Sequence, residues 1–63
     1  MRNRIREHRL AAGLTQSQLA TDCGVSRRTI VALENDTFQA SLTLALKLAR
    51  RFHVPVEDIF SLD

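Results

Sequence analysis

Apolar residues return every three or four positions along most of the chain. The breaks between these runs fall on residues that stop or start helices. A first helix is predicted over Arg2 to Ala12, closed by Gly13 in the position that favours a left-handed residue. Thr15 then caps a second helix. Gln18, three residues later, completes a capping box, and the helix runs to Cys23, where Gly24 stops it. Ser26 caps a third helix from Arg27 to Asn35, so only a short turn around Gly24 separates the second helix from the third. Cap, helix, glycine, cap and helix in this order form a helix-turn-helix pattern. Asn35-Asp36-Thr37 supplies turn chemistry, and Ser41 caps a fourth helix from Leu42 to His53. Pro55 suits the first position of a short fifth helix ending near Phe60 or Leu62, with Glu57 and Asp58 opposing the positive end of its dipole. Val and Ile are scattered and no hairpin dipeptide occurs, so no strand is expected.

Ile5, Leu14, Leu19, Ala20, Cys23, Val25, Ile30, Leu33, Leu42, Ala45, Ala49, Phe52 and Ile59 fall at spacings that let them share one core. In the fourth helix Leu42, Ala45, Leu46, Ala49 and Phe52 form the expected inner stripe. Leu44 projects about 160° away from Leu46, at about 100° per residue. That helix is therefore apolar on more than one side. Its second face, with the residues that follow, leaves Leu44, Leu48, Val54, Val56, Phe60 and Leu62 as a candidate surface for a two-fold dimer.

The length of 63 residues fits one domain and leaves no room for a large cleft. Phe38, Phe52 and Phe60 are the whole aromatic complement, too few for a stacking platform that holds single strands. Cys23 has no partner for a disulfide, and no Cys-x-x-Cys or His-x-x-x-His spacing offers a zinc site. No apolar run approaches the ~20 residues of a membrane span, and the basic start lacks a signal-peptide core. A protein of a reducing cytoplasm, with no metal or other cofactor, is expected. His8, Cys23 and His53 are the only candidates for nucleophile and base, and Cys23 falls on a core position, so an enzyme is not expected.

Nine basic and seven acidic residues give a formal charge of +2, which says little until the charges are placed. Arg2, Arg4, Arg6 and Arg9 crowd the first helix and offer sequence-independent attraction to a polyanion. Arg27 and Arg28 open the third helix, where two cations oppose the helix dipole. Compensation from outside the fold is one explanation, and a solvated arginine pair is the plainer one. Arginine matches guanine O6 and N7 with two parallel hydrogen bonds, and a helix fits the major groove.

Taken together, Gly13-Leu14-Thr15-Gln16, Gln18-Leu19-Ala20, Gly24-Val25-Ser26, Thr29-Ile30, Leu33-Glu34-Asn35, and Ser41-Leu42 through Leu48-Ala49 resemble the Cro/cI-type (XRE family) helix-turn-helix transcriptional regulators. Val54-Pro55-Val56-Glu57-Asp58-Ile59-Phe60 is similar to the end of the small stand-alone prokaryotic members. The likeness spans residues 4 to 60. It implies an all-α, five-helix, lambda-repressor-like domain over 1–63, with the helix-turn-helix at 15–35 and a dimerisation part at 42–62. It also implies sequence-specific binding of double-stranded DNA by a homodimeric regulator, most simply a repressor beside the nucleoid. By position, Gln16 matches a phosphate-binding glutamine and Arg27, Arg28 and Ala32 match base-reading positions. Ser26 and Thr29 lie within reach of the same surface. Asn35 matches a phosphate contact, with turn formation an equal alternative. Arg9 and Glu34 match a buried structural salt bridge between the first and third helices.

Three residues depart from the family pattern. His8 replaces a large apolar residue, as a core-edge histidine with a backbone partner or as a pH-sensitive weak point. Asp36 stands where glycine often ends the third helix, and Ala40 replaces a common proline. Two other roles fit the same fold: the antitoxin of a toxin–antitoxin pair, and a protein-interaction module that has lost DNA binding. The set Gln16, Arg27, Arg28 and Asn35 favours DNA.

Overall fold

A computed structural model describes residues 2–62. Its ends are tied by an antiparallel ribbon that the sequence did not announce. Strand β1 (Arg2–Asn3) pairs with β2 (Phe60–Ser61), Arg2 opposite Ser61 and Asn3 opposite Phe60. The Arg4 amide donates to the Ile59 carbonyl at 2.7 Å and extends the seam. The pairing joins opposite ends of the chain without a hairpin turn, so no local motif marks it.

Four α-helices lie between the strands: α1 (Ile5–Ala11), α2 (Gln16–Cys23), α3 (Arg27–Glu34) and α4 (Leu42–Phe52). Their starts follow the local chemistry of the sequence. Thr15 Oγ1 accepts the Gln18 amide at 3.0 Å while Gln18 Oε1 accepts the Thr15 amide at 2.8 Å, closing the capping box of α2. Ser26 and Ser41 cap α3 and α4 in the same sense. Gly24 ends α2 at φ +69°, a conformation glycine adopts without a Cβ penalty. Asp36 reaches φ +60° after α3, so an aspartate performs the turn expected of glycine, with its amide donating to the Leu33 carbonyl. α1 starts at Ile5 rather than Arg2. Asn3 Oδ1 accepts the Ile5 amide, and Asn3 Nδ2 donates 2.8 Å to the Leu33 carbonyl.

The expected fifth helix is one turn of 3₁₀-helix at Val56–Asp58, so the five-helix count is corrected to four. Ile59 turns into the core and its amide donates back to Val56; the chain then straightens to pair with β1. That pairing draws on the ends of the chain and ends the helix before a second turn forms.

Ile5, Leu19, Ile30, Leu33, Leu48 and Ile59 are fully buried and form the centre of a single core. Leu14, Val25, Phe52, Val54, Val56 and Phe60 pack partly buried around it. The inner face of α4 differs from the expected one. Leu44 and Leu48 are buried, at 6% and 0% exposure, whereas Leu42 and Leu46 stand out at 74% and 54%. Leu44 and Leu48 are therefore withdrawn from the candidate dimer surface, and Leu42 from the core. The apolar arc of α4 spans about 200° at about 100° per residue, and packing against α1, α2 and the Val56–Asp58 turn selects its Leu44–Leu48 side. His8 is a half-buried core-edge residue: its ring stacks on Phe52 at 5.4 Å, and Nε2 lies 3.3 Å from the Asp58 carbonyl. Among the described residues no helix is long and apolar enough to cross a membrane.

Candidate nucleic-acid interface

Ile30 and Leu33 anchor α3 to the core and so fix which residues it shows to solvent. At about 100° per residue, Arg28 and Asn35 lie about 170° from the direction those two define. Ala32 and Val31 sit beside this outermost line, half-buried. Arg27 and Thr29 fall on opposite flanks, each roughly perpendicular to the core direction. The head of α3 thus presents Arg28 outward and Arg27 sideways, toward α2. Both side chains are exposed.

A chain of polar contacts stands behind Arg27. Arg9 Nε donates to Glu34 Oε2 at 2.6 Å and Arg9 Nη2 to Glu34 Oε1 at 3.2 Å. Arg9 Nη1 donates to the Leu14 carbonyl at 2.9 Å, so one guanidinium joins α1, the turn before α2 and the end of α3. This is the expected structural salt bridge, with side chains only 10% and 4% exposed. Gln16 Nε2 also donates to Glu34 Oε1, at 3.1 Å. Gln16 Oε1 in turn accepts from Arg27 Nη2 at 3.2 Å. The contacts run from a buried ion pair outward to an exposed cation. Arg9 is spent inside this network, so of the N-terminal arginines only Arg2, Arg4 and Arg6 remain exposed.

The other sequence-selected residues divide between structure and surface. The Ser26 hydroxyl accepts the Thr29 amide at 3.2 Å and lies 3.1 Å from Thr29 Oγ1, so the two hydroxyls are engaged together in capping α3. Asn35 is exposed as the C-cap of α3. Arg6, Gln16, Arg27 and Asn35 border one open groove between α1, α2 and α3. The links Arg27–Gln16 and Gln16–Glu34 join residues far apart in sequence, and no spacing rule signals them. Cys23 lies buried at the end of α2, away from this surface. Burial raises its thiol pKa, the neighbouring Asp22 carboxylate adds to the rise, and Lys47 and Arg51 oppose it. The thiol is therefore protonated and unreactive at neutral pH. Among the described residues no group of three or more His, Cys, Asp or Glu side chains is placed to hold a metal.

Two capped helices joined at a left-handed glycine, the second showing arginines to solvent, define a helix-turn-helix protein. The helix-turn-helix family profile matches residues 5–59, and the chain belongs to that family. The likeness to Cro/cI-type regulators drawn from the sequence is borne out. An uncharacterised HTH-type transcriptional regulator of Methanothermobacter thermautotrophicus is 53% identical over 66 residues, covering 100% of this chain and 93% of its own. One from Archaeoglobus fulgidus is 51% identical over 63 residues, covering 100% and 90%. In three dimensions the chain is similar to the restriction-modification controller protein C.AhdI of Aeromonas hydrophila. That match has a TM-score of 0.82 and 34% identity, covering 89% of this chain and 85% of that one. The protein is a DNA-binding helix-turn-helix transcriptional regulator.

Proposed function

We propose that the protein binds duplex DNA sequence-specifically, with α3 in the major groove and Arg28 on a base edge. Gln16 and Asn35 set the register on flanking phosphates. The observation that carries this reading is the direction of Arg28. It lies in the first turn of α3, is exposed, and points away from the core on a helix that Ile30, Leu33 and the Arg9–Glu34 pair hold rigid. Repression by blocking access of polymerase to its promoter is the simplest outcome for such a domain. The similarity to a restriction-modification controller supports a regulatory role.

The reading includes a two-fold dimer, because one chain of this size supplies few contacts and paired recognition helices enter successive grooves about 34 Å apart. Leu42 and Leu46 take the place of Leu44 and Leu48 on its surface. Val54, Val56, Phe60 and Leu62 extend the 42–62 part assigned to dimerisation. Sedimentation should show a dimer at micromolar concentration and a monomer for Leu46→Glu; a wild-type monomer at high micromolar concentration removes the dimer.

Selection from a random duplex library with the purified protein tests the whole. A short motif with two-fold symmetry is expected, bound with a log–log salt slope of about −5 to −9 for roughly six to ten neutralised phosphates. Arg28→Ala should lose about 1–3 kcal/mol on that motif and relax one base position. A library that yields no enriched sequence overturns the reading.

A further inference from the structure

We infer that Glu34 is a positioning residue for DNA binding: through Gln16 it holds Arg27 on the DNA backbone and leaves base recognition at the head of α3 to Arg28. This rests on the groove-binding reading above and adds a division of labour that the adjacency of the two arginines does not contain.

The argument starts from the chemistry of the buried carboxylate. An ionised Glu34 side chain can only accept hydrogen bonds, and it already receives both Arg9 contacts. A glutamine meeting that carboxylate must present its NH2 group, since its carbonyl oxygen would face another acceptor. Gln16 Nε2 indeed lies 3.1 Å from Glu34 Oε1. The amide is planar, so its oxygen then faces away from Glu34 and toward α3. There it meets Arg27, a side chain with donors only, at 3.2 Å. Reversing the amide would set acceptor against acceptor at one end and donor against donor at the other. The orientation of Gln16 is therefore fixed by the charge behind it, and the resting place of the Arg27 guanidinium is fixed by Gln16.

Geometry then separates the arginines. Arg28 lies on the outermost line of α3 and Arg27 about 90° from the core direction, on the flank facing α2. For a helix laid in a groove, the outermost line reaches base edges and the flanks face the sugar–phosphate walls. Gln16 keeps one N–H free and Arg27 keeps further N–H donors, so together they offer converging donors to one phosphate oxygen. Arg6 borders the same groove and adds a second cation.

The test is a double-mutant cycle, with wild type, R27A, E34Q and E34Q/R27A titrated against the library-selected duplex and a scrambled duplex of equal length. Anisotropy is followed from about 0.05 to 0.2 M salt. R27A should weaken both duplexes by the same factor, about tenfold, with base preference unchanged and the salt slope shallower by about one per protomer. In the E34Q background R27A should cost less than about twofold, because Arg27 is no longer held in place. If E34Q unfolds, Q16A replaces it with the same expectation, since it leaves the Arg9–Glu34 pair in place. Relaxed preference at one base pair for R27A overturns the inference, as does an equal R27A factor with and without the relay. A wild type that does not distinguish the two duplexes overturns the groove-binding reading and this inference together; specificity retained alongside an additive cycle overturns the inference alone.

Discussion

Among the described residues, two arginine–carboxylate pairs cross this molecule at nearly equal length. Arg9–Glu34 closes at 2.6 Å and Arg51–Asp22 at 2.7 Å. In the first, the side chains are 10% and 4% exposed; in the second, 36% and 39%. Glu34 receives Gln16 as well as Arg9, and Arg9 also holds the Leu14 carbonyl. A single hydrogen bond, from Arg51 Nε to Asp22 Oδ2, makes up the second pair. The contrast shows that separation alone does not grade an ion pair. Water screens the Arg51 pair and replaces either partner cheaply, whereas a buried charge left alone near Glu34 has nothing to replace its partner. The pair that fixes α3 against α1 is the one behind the surface assigned to DNA.

The contrast breaks if the two pairs respond alike to truncation. Arg9→Ala should lose about 3–5 kcal/mol in urea unfolding, because it strands the Glu34 carboxylate in a buried site. α4 carries the same inside-to-outside difference in apolar form. Leu48→Ala should lose about 2–5 kcal/mol, and Leu46→Ala should stay within about 0.5 kcal/mol for the isolated protomer, as measured by thermal melts at low concentration. Arg51→Ala should cost under about 1 kcal/mol, shrinking further as salt is added. The smallest effect concerns Cys23, beside Asp22. Its folded pKa is raised above the ordinary 9.0, chiefly by burial. The folded state therefore holds the proton more tightly than the unfolded state. The contribution of Cys23 to stability is constant below about pH 9 and falls as pH rises through the window between 9 and the folded value. Cys23→Ala should flatten that alkaline decline in a pH series of unfolding curves; an unchanged decline would assign it to other groups.

What the sequence made legible was local. Thr15 with Gln18, Gly24, Ser26 and Ser41 each act on a backbone group within a few residues, and each helix start they predict is found. What it hid was non-local. α4 is apolar around so much of its circumference that periodicity allows two rotations, and only contact with α1, α2 and the Val56–Asp58 turn selects the one that buries Leu44 and Leu48. Pro55 signals a helix start, but the ribbon of Arg2–Asn3 with Phe60–Ser61 cuts that helix to one turn. At the head of α3, Arg27 and Arg28 are adjacent in sequence and look equivalent. They separate once Ile30 and Leu33 fix the rotation of α3. The Arg9–Glu34 pair was visible through family resemblance, and its extension through Gln16 to Arg27 only through geometry.

The central claim, that the outward face of α3 is the surface that meets DNA, is tested most directly by amide chemical-shift mapping of the labelled protein titrated with its library-selected duplex. The account predicts that the largest shifts fall on residues 26–32, at the start of α2 around Gln16, and at Asn35. Shifts confined to the exposed face of α4 around Leu42 and Leu46, with the head of α3 unmoved, would contradict it.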